Sequence, residues 1–138
     1  MHIQITDEIN ENDKTEILEG LINYNLARIE DKNPKELGVY QKNDKGQIVA
    51  GLIGEIHGNW LMIEFLWVEE NLRGQHFGSQ ILEQAEKAAK ERGCKYVFSD
   101  TFRFQAQRFY RKHGYKEVFT LEEYPPYGET VLLSVYWG

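Results

Sequence analysis

Hydrophobic and polar positions change period several times along the chain, and each change marks a predicted element. Residues 3–6 alternate and predict a short first strand. Asp13-Lys14-Thr15-Glu16 has the form of a capping box, with Asp13 as the cap and Glu16 three residues on. Ile17, Leu18, Leu21, Ile22, Asn25 and Ile29 then follow helical spacing until Asn33-Pro34 ends the helix. Residues 38–42 read as extended, and Asn43-Asp44-Lys45-Gly46 is a turn signal. Residues 48–56 and 60–68 predict two strands around a turn at His57-Gly58-Asn59, which makes this stretch an antiparallel meander.

The period shifts after Glu69-Glu70-Asn71. From Gly78 onward, Ile81, Leu82, Ala85, Ala88 and Ala89 mark one apolar helical face. On the other face Glu83 with Lys87, and Glu86 with Lys90, are opposite charges one helical turn apart. Gly93 stands where a left-handed C-cap belongs. Residues 95–100 predict a strand and residues 105–113 a short helix that Gly114 stops. Residues 115–121 and 130–137 predict two more strands, joined by a loop carrying Pro125-Pro126-Tyr127-Gly128. With no internal repeat, linker or low-complexity segment, the expectation is one α+β domain over residues 1–138, built on a mixed sheet.

Composition narrows the class. A chain of 138 residues can bury one sizeable core, and 41% hydrophobic with 28% charged residues is ordinary for a soluble domain. No stretch approaches the roughly 18 apolar residues of a membrane span, and the N-terminus lacks the layout of a secretory signal. Cys94 is the only cysteine, so no intrachain disulfide can form and a cytoplasmic location is expected. Its place after Gly93 at a helix-to-strand junction reads as core rather than nucleophile. A net charge of −6 argues against nonspecific nucleic-acid binding, which needs a basic face, and suits a cationic small substrate. His2, His57 and His113 show no metal-ligand spacing, so no metal is expected.

The segment richest in chemistry runs from Leu66-Trp67-Val68 through a polar loop to Arg73-Gly74-Gln75-His76-Phe77-Gly78-Ser79 and into a helix. A helix start leaves its first N–H groups unpaired and carries the positive end of the macrodipole. Glycine lets that backbone approach a bulky anion. A diphosphate fits such a turn. No Gly-Lys-Ser/Thr follows, so it is not a P-loop, and Gly-x-Gly-x-x-Gly is absent as well.

This segment resembles motif A of the GNAT superfamily of N-acetyltransferases, Arg/Gln-x-x-Gly-x-Gly/Ala, with Arg73 first and Gly78 last and His76 where the middle glycine usually stands. Ala106-Gln107-Arg108-Phe109-Tyr110-Arg111-Lys112-His113-Gly114-Tyr115 is similar to a second signature of that family, Ala-x-x-Phe-Tyr-x-x-x-Gly-Phe/Tyr. The order of elements resembles the family's fold over nearly the whole chain. That fold is a mixed, mostly antiparallel sheet with a splayed parallel pair of central strands and helices on both faces.

The resemblance implies an N-acetyltransferase that moves an acetyl group from acetyl-CoA to a primary amine of a small molecule, or of a peptide or protein. It implies that Arg73, Gly74, Gln75, His76, Phe77, Gly78 and Ser79 hold the CoA diphosphate. Leu66, Trp67 and Val68 would pair with the pantetheine arm as an added strand does, and N–H groups near Val68 would polarise the thioester carbonyl. Tyr110 is the candidate acid for the leaving thiolate. Glu64, in the strand, and Asp100, ending the strand opposite, are equal candidates for the base; strict alternation puts Glu64 on one face with Met62 and Leu66. Phe102, Phe104, Tyr124 and Tyr127 are candidate substrate walls, though for any one of them a core or ordinary loop aromatic is the favoured explanation. A non-catalytic acyl-CoA-binding module is the alternative, with His76 its main support. Homodimers through the C-terminal strands are common in the family, and no residue here marks one.

Overall fold

The computed structural model describes residues 1–26, 34–102, 107–124 and 128–137, and the chain divides into two compact units, Met1–Lys32 and Asn33–Gly138.

The first unit carries helix α1 (Glu11–Leu26). Its cap is Asn10 and not the expected Asp13. Asn10 Oδ1 accepts the N–H groups of Asn12 (2.8 Å) and Asp13 (3.3 Å), while the Asn10 carbonyl accepts the first i→i−4 bond, from Lys14 (3.0 Å). Asp13 falls in the first turn, where a negative charge favours the helix dipole. The strand expected over residues 3–6 does not form. Among the described residues no strand pairs with them, and Thr6 Oγ1 accepts the Glu8 N–H in a local turn (3.1 Å). Ile29 and Asn33, expected at the helix end, lie outside the described residues.

The second unit is a six-stranded sheet of order β1-β2-β3-β4-β6-β5, comprising β1 (Lys35–Lys42), β2 (Ile48–His57), β3 (Trp60–Val68), β4 (Tyr96–Phe102), β5 (Lys116–Glu122) and β6 (Glu129–Tyr136). Neighbours are antiparallel except β3 and β4. Between these two the chain crosses over through a 3-10 turn (Glu70–Leu72) and helix α2 (Phe77–Glu91). Ile81, Leu82, Ala85 and Ala89 of α2 pack with Leu52, Leu61, Val97, Val131 and Leu133 of the sheet in one buried core. The described helices of this unit, α2 and the short α3 (Gln107–Lys112), contribute to that same core through Leu82 and Tyr110. Cys94 is a free, buried member of it, and burial raises its thiol pKa.

Both helices end in the same way. Gly93 (φ +91°) and Gly114 (φ +84°) take the left-handed conformation. The N–H groups of Cys94 and Gly93 return to Ala89 (3.0 Å) and Lys90 (3.0 Å), and those of Tyr115 and Gly114 to Tyr110 (3.1 Å) and Arg111 (3.1 Å). This is a Schellman closure twice over, with its usual apolar contact. In the second case the contact is Tyr110 against Tyr115, ring centroids 5.2 Å apart. The closure at Gly114 therefore helps to fix Tyr110.

Candidate active site

The parallel pair in mid-sheet opens. Trp60, Leu61 and Met62 pair with Tyr96, Val97 and Phe98, and there the ladder stops, although β3 runs on to Val68 and β4 to Phe102. A bulge in β3 accompanies the opening. Ile53 faces Phe65 but Gly54 faces Ile63, so Glu64 is the extra residue. A bulge of this kind bends its strand and sharpens the local twist. It also shifts the side-chain phase. Leu61 and Ile63 lie in the core before it, and Leu66 and Val68 pack against the core after it. Strict alternation therefore fails at Glu64: it shares a depression with Met62, along with Glu55, Trp60 and Phe98, whereas Leu66 faces the other way.

Beyond the bulge, two amides of β3 have no strand partner among the described residues. The Glu69 N–H is bonded to the Val49 carbonyl at 2.8 Å, which sets the phase of the β2–β3 ladder. By that phase Leu66 and Val68 form non-hydrogen-bonded pairs with Leu52 and Ala50, and their N–H groups point toward the gap left by β4. The Val68 carbonyl, on the same side, accepts Arg73 Nε at 3.1 Å. Arg73 is thus turned back onto the strand end, where it fastens the polar loop and lines a hollow with Trp67, Glu69, Glu70 and Asn71.

A second set of free donors lies at the start of α2. His76 is its N-cap, with φ +67°, and its side chain makes no capping bond. The first intrahelical bond runs from the Gln80 N–H to the His76 carbonyl (3.1 Å). The N–H groups of Phe77, Gly78 and Ser79 consequently find no acceptor among the described residues. Gly74 is left-handed at φ +81°, and Gln75 reaches back to the Asn71 carbonyl (3.4 Å). At Gly78 the helix passes close to its neighbours, since an added Cβ would stand 3.5 Å from both the Phe109 ring and Val68. No acidic residue occupies the first turn of α2, so the positive end of the helix is not offset locally.

Tyr110 reaches the site from α3. It is buried, with 4% of its surface exposed. Burial raises its phenol pKa; a hydrogen bond with the buried Ser99 lowers it in part, and the charge of Asp100 raises it further. Ser99 is the first β4 residue past the last parallel pair, so this contact stands at the mouth of the opening. Asp100 and Glu64 are both exposed, and alternation along β4 puts Asp100 on the Phe98 face, the face that Glu64 also occupies. The structure therefore gathers Tyr110 on the helical side of the opening and both carboxylates on the other. Tyr124 is exposed. Phe104 and Tyr127, and the side chain of Phe102, lie outside the described residues.

Two residues of this site carry no functional reading in the sequence. Ser99 is hydrogen-bonded to Tyr110, and His113 makes a hydrogen bond between its Nε2 and Ser79 Oγ (3.0 Å). Neither has a motif of its own, because each is identified by a partner distant in sequence.

The geometry agrees with what the chain is similar to. Residues 4–115 match the model of the Acetyltransferase (GNAT) family. An acetyltransferase of Agrobacterium fabrum is 31% identical over 121 residues, covering 88% of each chain. Blasticidin-S acetyltransferase of Streptomyces morookaense is 35% identical over 88 residues, or 63% of this chain and 65% of that one. The crystal structure of an acetyltransferase from Bacillus cereus superposes with a TM-score of 0.86 at 32% identity, covering 99% of both chains. With the family model matching most of the chain, and relatives above 30% identical covering it almost end to end, the chain belongs to the acetyltransferase (GNAT) family and is an acyltransferase.

Proposed function

We propose that the protein transfers the acetyl group of acetyl-CoA to a primary amine of a small molecule, by direct attack within a ternary complex of one domain spanning residues 1–138. The observation that carries this reading is the pair of free donor sets. The N–H groups of Phe77, Gly78 and Ser79 suit a diphosphate, and those of Leu66 and Val68, on the open edge of β3, suit an extended amide-bearing arm and a carbonyl oxygen. A single buried cysteine fits a reducing, cytoplasmic location.

In this reading the pantetheine arm adds to β3 in the opening, and the Val68 N–H meets the thioester oxygen. The amine nitrogen attacks the carbonyl carbon from the face that carries Glu64 and Asp100. We assign Glu64, at the bulge, to take the amine proton directly or through water. The C–S bond then breaks, and the departing thiolate takes the proton of the Tyr110 phenol. Burial, with a smaller push from the charge of Asp100, holds the Tyr110 pKa above the ordinary phenol value, so the phenol carries its proton until the thiolate takes it.

Isothermal titration with acetyl-CoA tests the first half of the reading; binding weaker than millimolar overturns it. Thiol release tests the second, with a panel of polyamines, amino acids, aminoglycosides, peptide N-termini and blasticidin S, the last included because a relative is named for it. Tight binding with no turnover on any of these would replace the enzyme by a CoA-binding module.

A further inference from the structure

Ser79 and His113 are 34 residues apart, yet their side chains are bonded at 3.0 Å in a partly buried setting. Ser79 is the third residue of α2, inside the turn whose N–H groups are free. Side chains of a helix lean toward its N-terminus, so the Ser79 hydroxyl is carried toward the same space. A hydroxyl has one proton to give and lone pairs to receive with. Its usefulness to an anion therefore depends on which way that proton is turned.

The neighbourhood holds His113 in place from several sides. Its ring lies 5.0 Å from that of Phe109, one helical turn earlier, and Phe109 is the ring that approaches Gly78. Gln107 and Arg111 of the same helix both bond the Glu117 carboxylate on β5, tying α3 to the sheet. The short helix α3 and the residue that follows it thus touch two consecutive residues of the α2 turn, Gly78 through Phe109 and Ser79 through His113, while Tyr110 is presented to the opening.

We propose that His113 is a positioning residue for the cofactor's diphosphate. Its Nε2–H donates to Ser79 Oγ and so turns the Ser79 proton outward, as an added donor beside the N–H groups of Phe77, Gly78 and Ser79. The inference rests on the diphosphate reading given above. It adds that the helix supplying the acid also organises the other end of the cofactor.

The test compares His113→Ala, Ser79→Ala and the double variant with the unaltered protein, using CoA and pantetheine, which lacks the diphosphate, as titrants. Each single variant is expected to weaken CoA binding about tenfold, the usual effect of losing one hydrogen bond to a charged group. The double variant should be no weaker than the singles, because both remove one device. Pantetheine affinity should not move, and His113→Gln, which keeps an N–H donor, should recover most of the CoA affinity. CoA affinity within twofold of the unaltered protein in Ser79→Ala overturns the proposal. So do equal losses for CoA and pantetheine, which would mark a packing role, and additive losses in the double variant. If the unaltered protein binds no CoA at all, the diphosphate reading itself fails and this inference with it.

Discussion

At the scale of single residues, Tyr110 and His76 make opposite demands. Tyr110 is placed by tertiary contacts: core burial, the Ser99 hydroxyl and the Tyr115 ring. All of its predicted work is done by one hydroxyl proton. Tyr110→Phe should therefore keep the fold and the CoA affinity and lower kcat by about 10²- to 10⁴-fold; steady-state kinetics paired with CoA titration check this, and unchanged turnover removes Tyr110 from the acid role. His76 is placed by backbone need. A left-handed φ of +67° costs an L-residue roughly 1 kcal/mol relative to glycine. His76→Gly should then raise stability by about that amount, less glycine's added chain entropy, and a urea midpoint reads it. No rise would mean that the imidazole has compensating contacts. The departure from the family's glycine was plain in the sequence; that the position is left-handed was not, because φ is set by how the loop must deliver α2.

Elements show why strict periodicity misled at one point. The expected strands and the α2 stripe are nearly all present, since their apolar positions report a buried face directly: Ile81, Leu82, Ala85 and Ala89 are core. The phase change at Glu64 has no local signature. A bulge is a property of a pair of strands, and β3 alone does not say where β2 will slip. Similarly, Asp13 and Asn10 are both good caps, and the start of regular bonding at Lys14 selected between them. The polar side of α2 also proves less exposed than its charges suggest. Glu86 is half-buried beside Tyr115, whose hydroxyl donates to it at 3.3 Å. Burial raises the Glu86 pKa, and the bond from Tyr115 with the charges of His113 and Lys90 offsets only part of that. A raised carboxyl pKa means that the folded state holds the proton more tightly than the unfolded chain. Its contribution to stability is full below the unfolded carboxyl range and is lost as pH rises through the folded value. Glu86→Gln should accordingly gain stability relative to the parent between about pH 4 and pH 7. Urea denaturation at both ends of that interval checks the sign, and a relative loss would show that the ionised form is the stabilised one.

For the molecule as a whole, the six-stranded sheet carries an opening that its own hydrogen bonds do not fill. A ligand pairing with the open edge and with the α2 start binds only the folded state, so it must stabilise that state. At about 100 times its Kd, acetyl-CoA should add roughly 2.7 kcal/mol, or about 8 °C in Tm for a chain of this size. A thermal melt with and without acetyl-CoA measures it, and pantetheine at equal concentration should give much less. Equal shifts would place the binding energy in the strand edge rather than the helix start.

By itself the sequence determined the elements from α1 onward and their order, though not the strand expected over residues 3–6, together with the helix stops at Gly93 and Gly114 and the turn at residues 73–79. Each depends on side chains and backbone within a few residues of one another. Only the tertiary structure decided where β3 leaves β4, which way Leu66 and Val68 turn their amides, and that Ser99 meets Tyr110 and His113 meets Ser79. Those features arise when distant segments compete for the same hydrogen bonds and the same buried volume, and no window along the chain contains both competitors.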